Sequence, residues 1–428
     1  MAEHAYDADA RTPVDPAESV SGFQLGVVLI GISITLPLMY SAGELAQGIG
    51  FTRAAIATLI GALVLSLMSV PAAIVGARPR LSSYMIIEHT FGYAGAKFIN
   101  LGFGIFLLGW YAVTAELFGR TLFLAATDLF ALAWPEWLFT VLSSAVVTVT
   151  TIFGFRAIDR LALIAVPFLL LALAAVVPLS LQEVPFAALL DLEGSGSLDM
   201  PTAISAVIGA AIVGVVLTPD LTRYARRTSD CITASFLGQG GGMSIASLMG
   251  MIPVLAWGEL EPMTYMLLMG FGGFALAVLV FATWTTNVIN LYSTALASRA
   301  SLALGDYRLM VVLLGALGTV VALVGISEHL IDFLIVMGLL VPPIAGVYLT
   351  DFFVFRRQDY SESHLARRPA LRLTALLVVA ASGILSSWLT FNDASITRIG
   401  AIDSLLFSAL AYMALEKFSA VRQSVPAS

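Results

Sequence analysis

The chain has 428 residues, 59% of them hydrophobic and only 11% charged, with a net charge of −7. Soluble domains carry roughly 25% charged residues, so a soluble globular fold is excluded and a polytopic membrane protein is expected. One cysteine, Cys231, and four dispersed histidines (His4, His89, His329 and His364) exclude an internal disulfide and a Cys- or His-based metal cluster.

Residues 1–20 are polar and acidic, lack an apolar signal segment, and read as a cytoplasmic tail. Residues 21–420 read as one membrane domain and 421–428 as a closing cytoplasmic tail. Twelve apolar spans are expected at about 22–47, 53–76, 98–126, 137–155, 160–181, 201–222, 230–257, 264–298, 309–326, 330–355, 371–391 and 399–418. With the N-terminus inside, all but three of the 21 basic residues fall on the inner side, the exceptions being Arg53, Arg120 and Arg398. That bias orients the chain with both ends in the cytoplasm. The outer connections are acidic instead, with Glu183, Asp191, Glu193, Asp199, Glu259 and Glu261.

The first span holds Gly31, Thr35, Pro37 and Gly43. Proline inside a helix removes a hydrogen bond and clashes with the preceding turn, so a broken helix is expected. The sixth span holds Gly209, Gly214 and Pro219 around the apolar run Ala210 to Leu217. Spans one and six are corresponding members of two five-span halves, and an odd number of spans per half inverts the second. Broken helices at matching positions point to a transport site near the midplane. Ordinary membrane-helix Gly and Pro are the alternative.

The third span carries Gly109-Trp110-Tyr111. Trp110 lies 13 residues past Lys97, which is mid-depth at ~1.5 Å per residue. There it stacks on a planar ring or, alternatively, belongs to an interfacial belt. Glu116 is an intramembrane carboxylate and a functional suspect on that ground. Its expected partner is Arg120 at i+4, with proton coupling or gating as the alternative. The eighth span has no charge from Met263 to Ser298. Thr283, Asn287, Asn290 and Thr294 form one stripe at i, i+4, i+7 and i+11, flanked by Thr286 and Ser293. Hydroxyl and amide oxygens in this pattern suit a small hard cation beside a polar solute. Hydrogen bonding between helices is the plainer reading. Asp220 with Arg223, Asp351 with Arg356, and Glu88 with His89 read as inner-end pairs.

Several stretches together resemble the nucleobase:cation symporter-1 family, most closely its bacterial cytosine permeases. They are Gly76-Ala77-Arg78 through Phe91-Gly92, Gly109-Trp110, Leu217-Thr218-Pro219-Asp220 with Arg223, Trp284-Thr285-Thr286-Asn287, and Pro342-Pro343-Ile344-Ala345-Gly346-Val347 with Asp351. The resemblance implies an all-α polytopic membrane protein of 12 transmembrane helices. It implies a 5+5 inverted-repeat transporter fold with broken helices 1 and 6, plus two C-terminal helices. It also implies sodium-coupled symport of a nucleobase or related planar heterocycle across the bacterial inner membrane. By the same resemblance sodium would be the coupling ion, and no cofactor is implied. Carried over residue by residue, the cation would be held by the carbonyls of Gly31, Ile34 and Ala282 and the hydroxyls of Thr285 and Thr286. Trp110 would be the stacking ring and Asn287 the solute-binding amide.

The departures bear on the substrate. Cytosine permeases carry a glutamine where this chain has Leu107. They carry an aromatic at the span-six break where it has Ala211, with Ala210 beside it in place of a small polar residue. They carry an aromatic on span one where it has Thr35. The pocket has thus lost one amide and two aromatics, which points to a bulkier ring such as a purine or substituted pyrimidine. The alternative is proton-coupled symport of an allantoin, hydantoin or vitamin-precursor heterocycle. No residue constellation supports a membrane enzyme, which needs a nucleophile and base or a carboxylate cluster at one depth. A channel would not need broken helices, and a sensor would usually append a soluble domain. The partners expected are the small heterocycle and the lipid bilayer, with no nucleic acid, and the chain is expected to act as a monomer.

Overall fold

Apolar runs of this length leave the backbone no water to bond with, so the helix, which satisfies its own N–H and C=O groups, is the form available to them. The computed structural model describes residues 12–153, 171–172, 174–302, 306–360 and 369–424. Among these the chain is helical, and the one β contact is an isolated bridge between Val20 and Ala225. Nine of the described spans are long and apolar enough to cross a bilayer, counting one bent pair as a single span.

That bent pair is the first span. Gly22–Ser33 and Leu36–Ile49 meet at 67°. Ile34 and Thr35 between them leave helical geometry, with ψ of 86° and 151°. Pro37 opens the second half, where a missing N–H leaves no bond unmade. Gly50 alone, at φ 81°, turns the chain into the second span, Phe51–Ala77. The third span runs from Ser83 to Phe130 and so begins well before the expected residue 98. Ser82 caps it by accepting from the Met85 N–H, and Asp220 accepts from the Ser83 N–H at 2.8 Å. Asp220, read from the sequence as a partner of Arg223, is thus also a helix cap. The span kinks at Gly92 (φ 78°), where a Cβ would sit 2.5 Å from the Pro369 carbonyl oxygen. The Ala94 N–H donates to the Ala370 carbonyl, and the Arg372 N–H donates to the Phe91 carbonyl.

The fourth span is Glu136–Phe153. The fifth, expected at 160–181, lies mostly outside the described residues, and 174–183 are helical. The sixth span runs unbroken from Met200 to Val216 and resumes at Pro219–Thr222. Its break falls at Leu217–Thr218, by Pro219, and not at Gly209 or Gly214. Gly209 serves packing instead: a Cβ there would lie 1.7 Å from the Leu334 carbonyl oxygen. The seventh span, Thr228–Trp257, widens to a π-helix at Phe236–Gly242. The eighth starts at Gly272, later than expected. Gly270, at φ 82°, separates it from a short helix at Pro262–Leu268. Tyr307–Leu323, then Leu330–Leu340 with Pro342–Thr350, then Leu373–Phe391 and Gly400–Ser424 occupy the ninth to twelfth positions. The last helix passes the expected boundary at 420 by four residues.

Residues 12–20 are mostly exposed but are anchored at two points. Val14 is buried and its N–H donates to the Arg80 carbonyl, while Val20 donates to the Tyr224 carbonyl. At the same arginine-rich end, Asp351 is fully buried. It accepts from Tyr360 Oη (2.8 Å), Tyr412 Oη (2.8 Å) and Arg372 Nη1 (3.0 Å), whereas Arg356 stands off at 3.7 Å. The expected Asp351–Arg356 pair is therefore the weaker part of a hub that joins the tenth, eleventh and twelfth spans. Arg372 adds a bond to the Thr90 carbonyl at the start of the third span. His89 stacks flat on Tyr360, ring centres 4.7 Å apart.

Candidate functional site

The residues expected to form the site lie at the bend of the first span and on the third, sixth and eighth spans. Ile34 and Ala282 belong to one buried core. Leu107, Trp110, Ala210, Ala211 and Phe333 pack against that core, each half-buried. That core runs through most of the bundle, from Ile34 to Tyr412, so it places these residues in the interior of the molecule. Thr35 stands at the bend, half-buried, with no side-chain cap bond.

Trp110 meets Phe333 edge to face, ring centres 5.7 Å apart at 80°. Phe333 lies so close over Gly109 that a Cβ there would be 2.6 Å from its ring. A glycine just before the tryptophan is what lets this ring approach. Phe333 has no signal in the sequence reading. It lies in the tenth span, far from Trp110 along the chain, and only the packing brings the two together.

The polar stripe on the eighth span is buried, with Thr283, Asn287 and Thr294 at most 1% exposed. Its hydroxyls turn back onto their own helix. Thr283 donates to the Leu279 carbonyl, and Thr294 to that of Asn290. Thr285 Oγ1 lies 2.9 Å from the Phe281 carbonyl oxygen and 3.1 Å from that of Ala282. These threonines therefore bond within their helix. Their hydroxyl oxygens keep acceptor capacity, as an oxygen that donates one proton still has lone pairs. Thr285 and the Ala282 carbonyl already sit side by side as two neutral oxygens. Thr286, half-buried, follows on the same helix. On the first span, the Gly31 carbonyl accepts from the Ile34 N–H at a long 3.4 Å, and the space beside Gly31 is open for 4 Å. Neutral carbonyl and hydroxyl oxygens are the donor set a small hard cation takes.

Asn287 differs from its neighbours. It is fully buried, and neither its amide oxygen nor its amide nitrogen finds a hydrogen-bond partner among the described residues. A buried amide left unpaired is destabilising by ~1–3 kcal/mol. Trp284, beside it in sequence, turns away and donates to Thr150 Oγ1 at 3.2 Å.

Glu116 takes a different partner from the one its sequence spacing suggests. Its carboxylate accepts from the Ser327 N–H (2.8 Å) and Ser327 Oγ (2.5 Å), in the turn before the tenth span. Arg120 pairs instead with Glu261 (3.3 Å) and Glu136 (3.8 Å). The i+4 rule is local, and the 3₁₀ turn at Ile326–His329 supplies two donors that it does not consider.

The sequence profile of the family described as permease for cytosine/purines, uracil, thiamine and allantoin matches residues 17–403. Cytosine permease of Escherichia coli O157:H7 is 26% identical over 411 residues, covering 95% of this chain and 93% of that protein, and the Escherichia coli K12 protein matches to the same extent. Among solved structures, the inward-facing conformation of Mhp1 superposes with a TM-score of 0.86 at 19% identity, over 96% of this chain and 94% of that one. Mhp1, a nucleobase-cation-symport-1 family transporter, in a closed conformation with bromovinylhydantoin bound, gives 0.79 at 19% identity, over 97% and 96%. A Na+-coupled sialic acid symporter gives 0.66 at 14% identity, over 93% and 90%.

Proposed function

The chain belongs to the nucleobase:cation symporter-1 family of permeases for cytosine/purines, uracil, thiamine and allantoin, and from that premise we propose that it is a sodium-coupled symporter of a purine or substituted pyrimidine. It is a multi-pass membrane transporter for nucleobase-like heterocycles, and not an enzyme. The observation that carries the finer reading is the unpartnered, buried amide of Asn287. It stands on the same helix, within two residues, as the threonine oxygens suited to a cation.

Trp110 would supply one face of the ring site and Asn287 its fixed polar contact. Ala210, Ala211, Leu107 and Thr35 would leave room for a ring larger than cytosine. Sodium would lie between the carbonyls of Gly31 and Ile34 on the first span and Ala282, Thr285 and Thr286 on the eighth. An ion held by oxygens of both spans would stabilise the same closed arrangement as the solute. That shared stabilisation is what couples them. Glu116 is hydrogen-bonded to Ser327. The arginine-rich end would face the cytoplasm of the inner membrane, by the distribution of basic residues, and the protein would act as a monomer.

The test is a thermal-shift screen of purified protein against nucleobases, hydantoins and vitamin precursors, with sodium and with choline. A planar heterocycle should raise the melting temperature, and more so in sodium. Equal stabilisation in choline would overturn sodium coupling and return attention to protons.

A further inference from the structure

Glu116 has no place among the proposed solute and cation positions. It is nonetheless a buried carboxylate that accepts two hydrogen bonds from one residue, Ser327, at 2.8 and 2.5 Å. Those bonds join the same two spans as the aromatic contact beside Gly109. Trp110 and Glu116 are six residues apart on the third span, and Ser327 and Phe333 are six residues apart at the start of the tenth. Trp110 meets Phe333, and Glu116 meets Ser327. The two spans therefore run antiparallel in one register, with matched contacts spaced by about 9 Å along the helix axis. Between those contacts the third span presents Ala112 and Ala115, which pack with Val321, Ala322 and Ile326.

A face of methyl groups packs closely but does not by itself resist sliding. Two hydrogen bonds from one residue to one carboxylate do. Ser327 lies in the 3₁₀ turn Ile326–His329, which leads directly into Leu330–Leu340. An anion at such a helix start is favoured by the helix dipole, and hydrogen bonds to an ionised acceptor are the stronger kind. The segment that carries Phe333 is bounded by two discontinuities, Gly325 at φ 86° and the interruption at Val341 before Pro342. It is thus a half-helix whose position must be fixed by its own contacts. On the sixth span its anchor is the Leu334 carbonyl beside Gly209.

We propose that Glu116 is a positioning residue for the ring site: by pinning Ser327 it sets the register of the tenth span on the third and holds Phe333 against Trp110. This rests on the reading of Trp110 as the stacking ring. Glu116 does not touch the solute and acts through Phe333. Losing Glu116 should therefore weaken binding as much as losing the Phe333 ring, and no further when both are lost.

A double-mutant cycle on heterocycle affinity tests this. The probe is whichever of adenine, hypoxanthine, thymine and hydantoin binds the purified parent most tightly. Dissociation constants are measured well below the melting temperatures. Glu116→Ala should weaken binding several-fold, by the same factor as Phe333→Leu, and the double variant should bind no worse than either. Glu116→Gln, which keeps an acceptor oxygen for Ser327, should bind nearer the parent. A merely structural Glu116 would lower the melting temperature and either leave the affinity alone or multiply the two losses. Either result overturns the proposal. If Glu116→Ala does not fold, Ser327→Ala takes its place, since it removes the hydroxyl bond and keeps that of the N–H. Its smaller loss should likewise vanish in the Phe333→Leu background, and persistence there overturns the proposal. Trp110→Ala separates this proposal from the reading beneath it. Weak binding by Trp110→Ala with an additive cycle means that the positioning role alone fails. Parent-like binding by Trp110→Ala, or binding of none of the four probes, removes the ring-site reading and the proposal with it.

Discussion

Phe333 crosses the face of Gly109 and meets Trp110 edge-on at 5.7 Å, so the expected stacking ring is braced from the tenth span. An aromatic pair of this geometry contributes ~0.5–1.5 kcal/mol beyond the area it buries. The brace also fixes which way the Trp110 ring turns.

Loss of that ring should be felt directly. Trp110→Ala is expected to weaken heterocycle binding at least tenfold, since stacking on an aromatic side chain contributes ~1–3 kcal/mol. Phe333→Leu should weaken it by a smaller factor, through a less constrained Trp110. Competition against the best ligand from the thermal screen measures both. Parent-like binding by Trp110→Ala would place the site elsewhere.

The amide of Asn287 should matter as much, and in a way that separates binding from folding. Removing an unpaired buried amide relieves the free protein, so Asn287→Ala should melt no lower than the parent without ligand. Its affinity should nonetheless fall at least tenfold, because a ring nitrogen or carbonyl then enters without its partner. A variant that melts lower and binds normally would mean that Asn287 is a packing residue.

Coupling should depend on the eighth-span hydroxyls. Thr285→Ala and Thr286→Ala are expected to remove most sodium-stimulated uptake in proteoliposomes while leaving a ligand-induced thermal shift in choline. Full stimulation in both variants would refute the cation assignment.

The acidic end carries a pH dependence. Glu261, in the connection after the seventh span, is pushed up to about 7 by burial, against the lowering effect of Arg120. Between its ordinary value near 4.5 and about 7 the folded protein holds a proton that the unfolded chain has released. This group's contribution to stability therefore falls as pH rises through that window and levels off above it. Glu261→Gln should flatten the dependence of melting temperature on pH between 5 and 7. An unaltered slope would assign the effect to another group.

Asp351 is the test of the arginine-rich end. Asp351→Asn keeps the shape but takes the charge from three hydrogen bonds, including that from Arg372. Hydrogen bonds to charged groups contribute about 1.5–3 kcal/mol each, so the variant should melt well below the parent. A parent-like melting temperature would show that Glu416, 2.5 Å from Arg372 Nη2, balances the arginine alone.

The sequence shows the parts of the fold that local chemistry decides. The bend at Thr35 follows from Pro37, and the buried stripe on the eighth span follows from helical spacing. What it does not show depends on which spans meet. Ser327 reaches Glu116 from 211 positions away, and no spacing rule points to it. The eighth span starts later than its apolarity implies, because apolarity runs straight through Gly270, whose positive φ ends one helix before the next begins. In the sixth span Gly209, Gly214 and Pro219 all read as candidate interruptions, because a glycine that admits a neighbouring backbone and one that breaks a helix read alike.

That last glycine limits how the pocket can diversify. With the Leu334 carbonyl 1.7 Å from where its Cβ would be, position 209 tolerates no side chain while the sixth and tenth spans stay in contact. The next two positions, Ala210 and Ala211, are half-buried and free of that constraint. A lineage that shifts from one ring to another could change 210 and 211 but would leave 209 untouched.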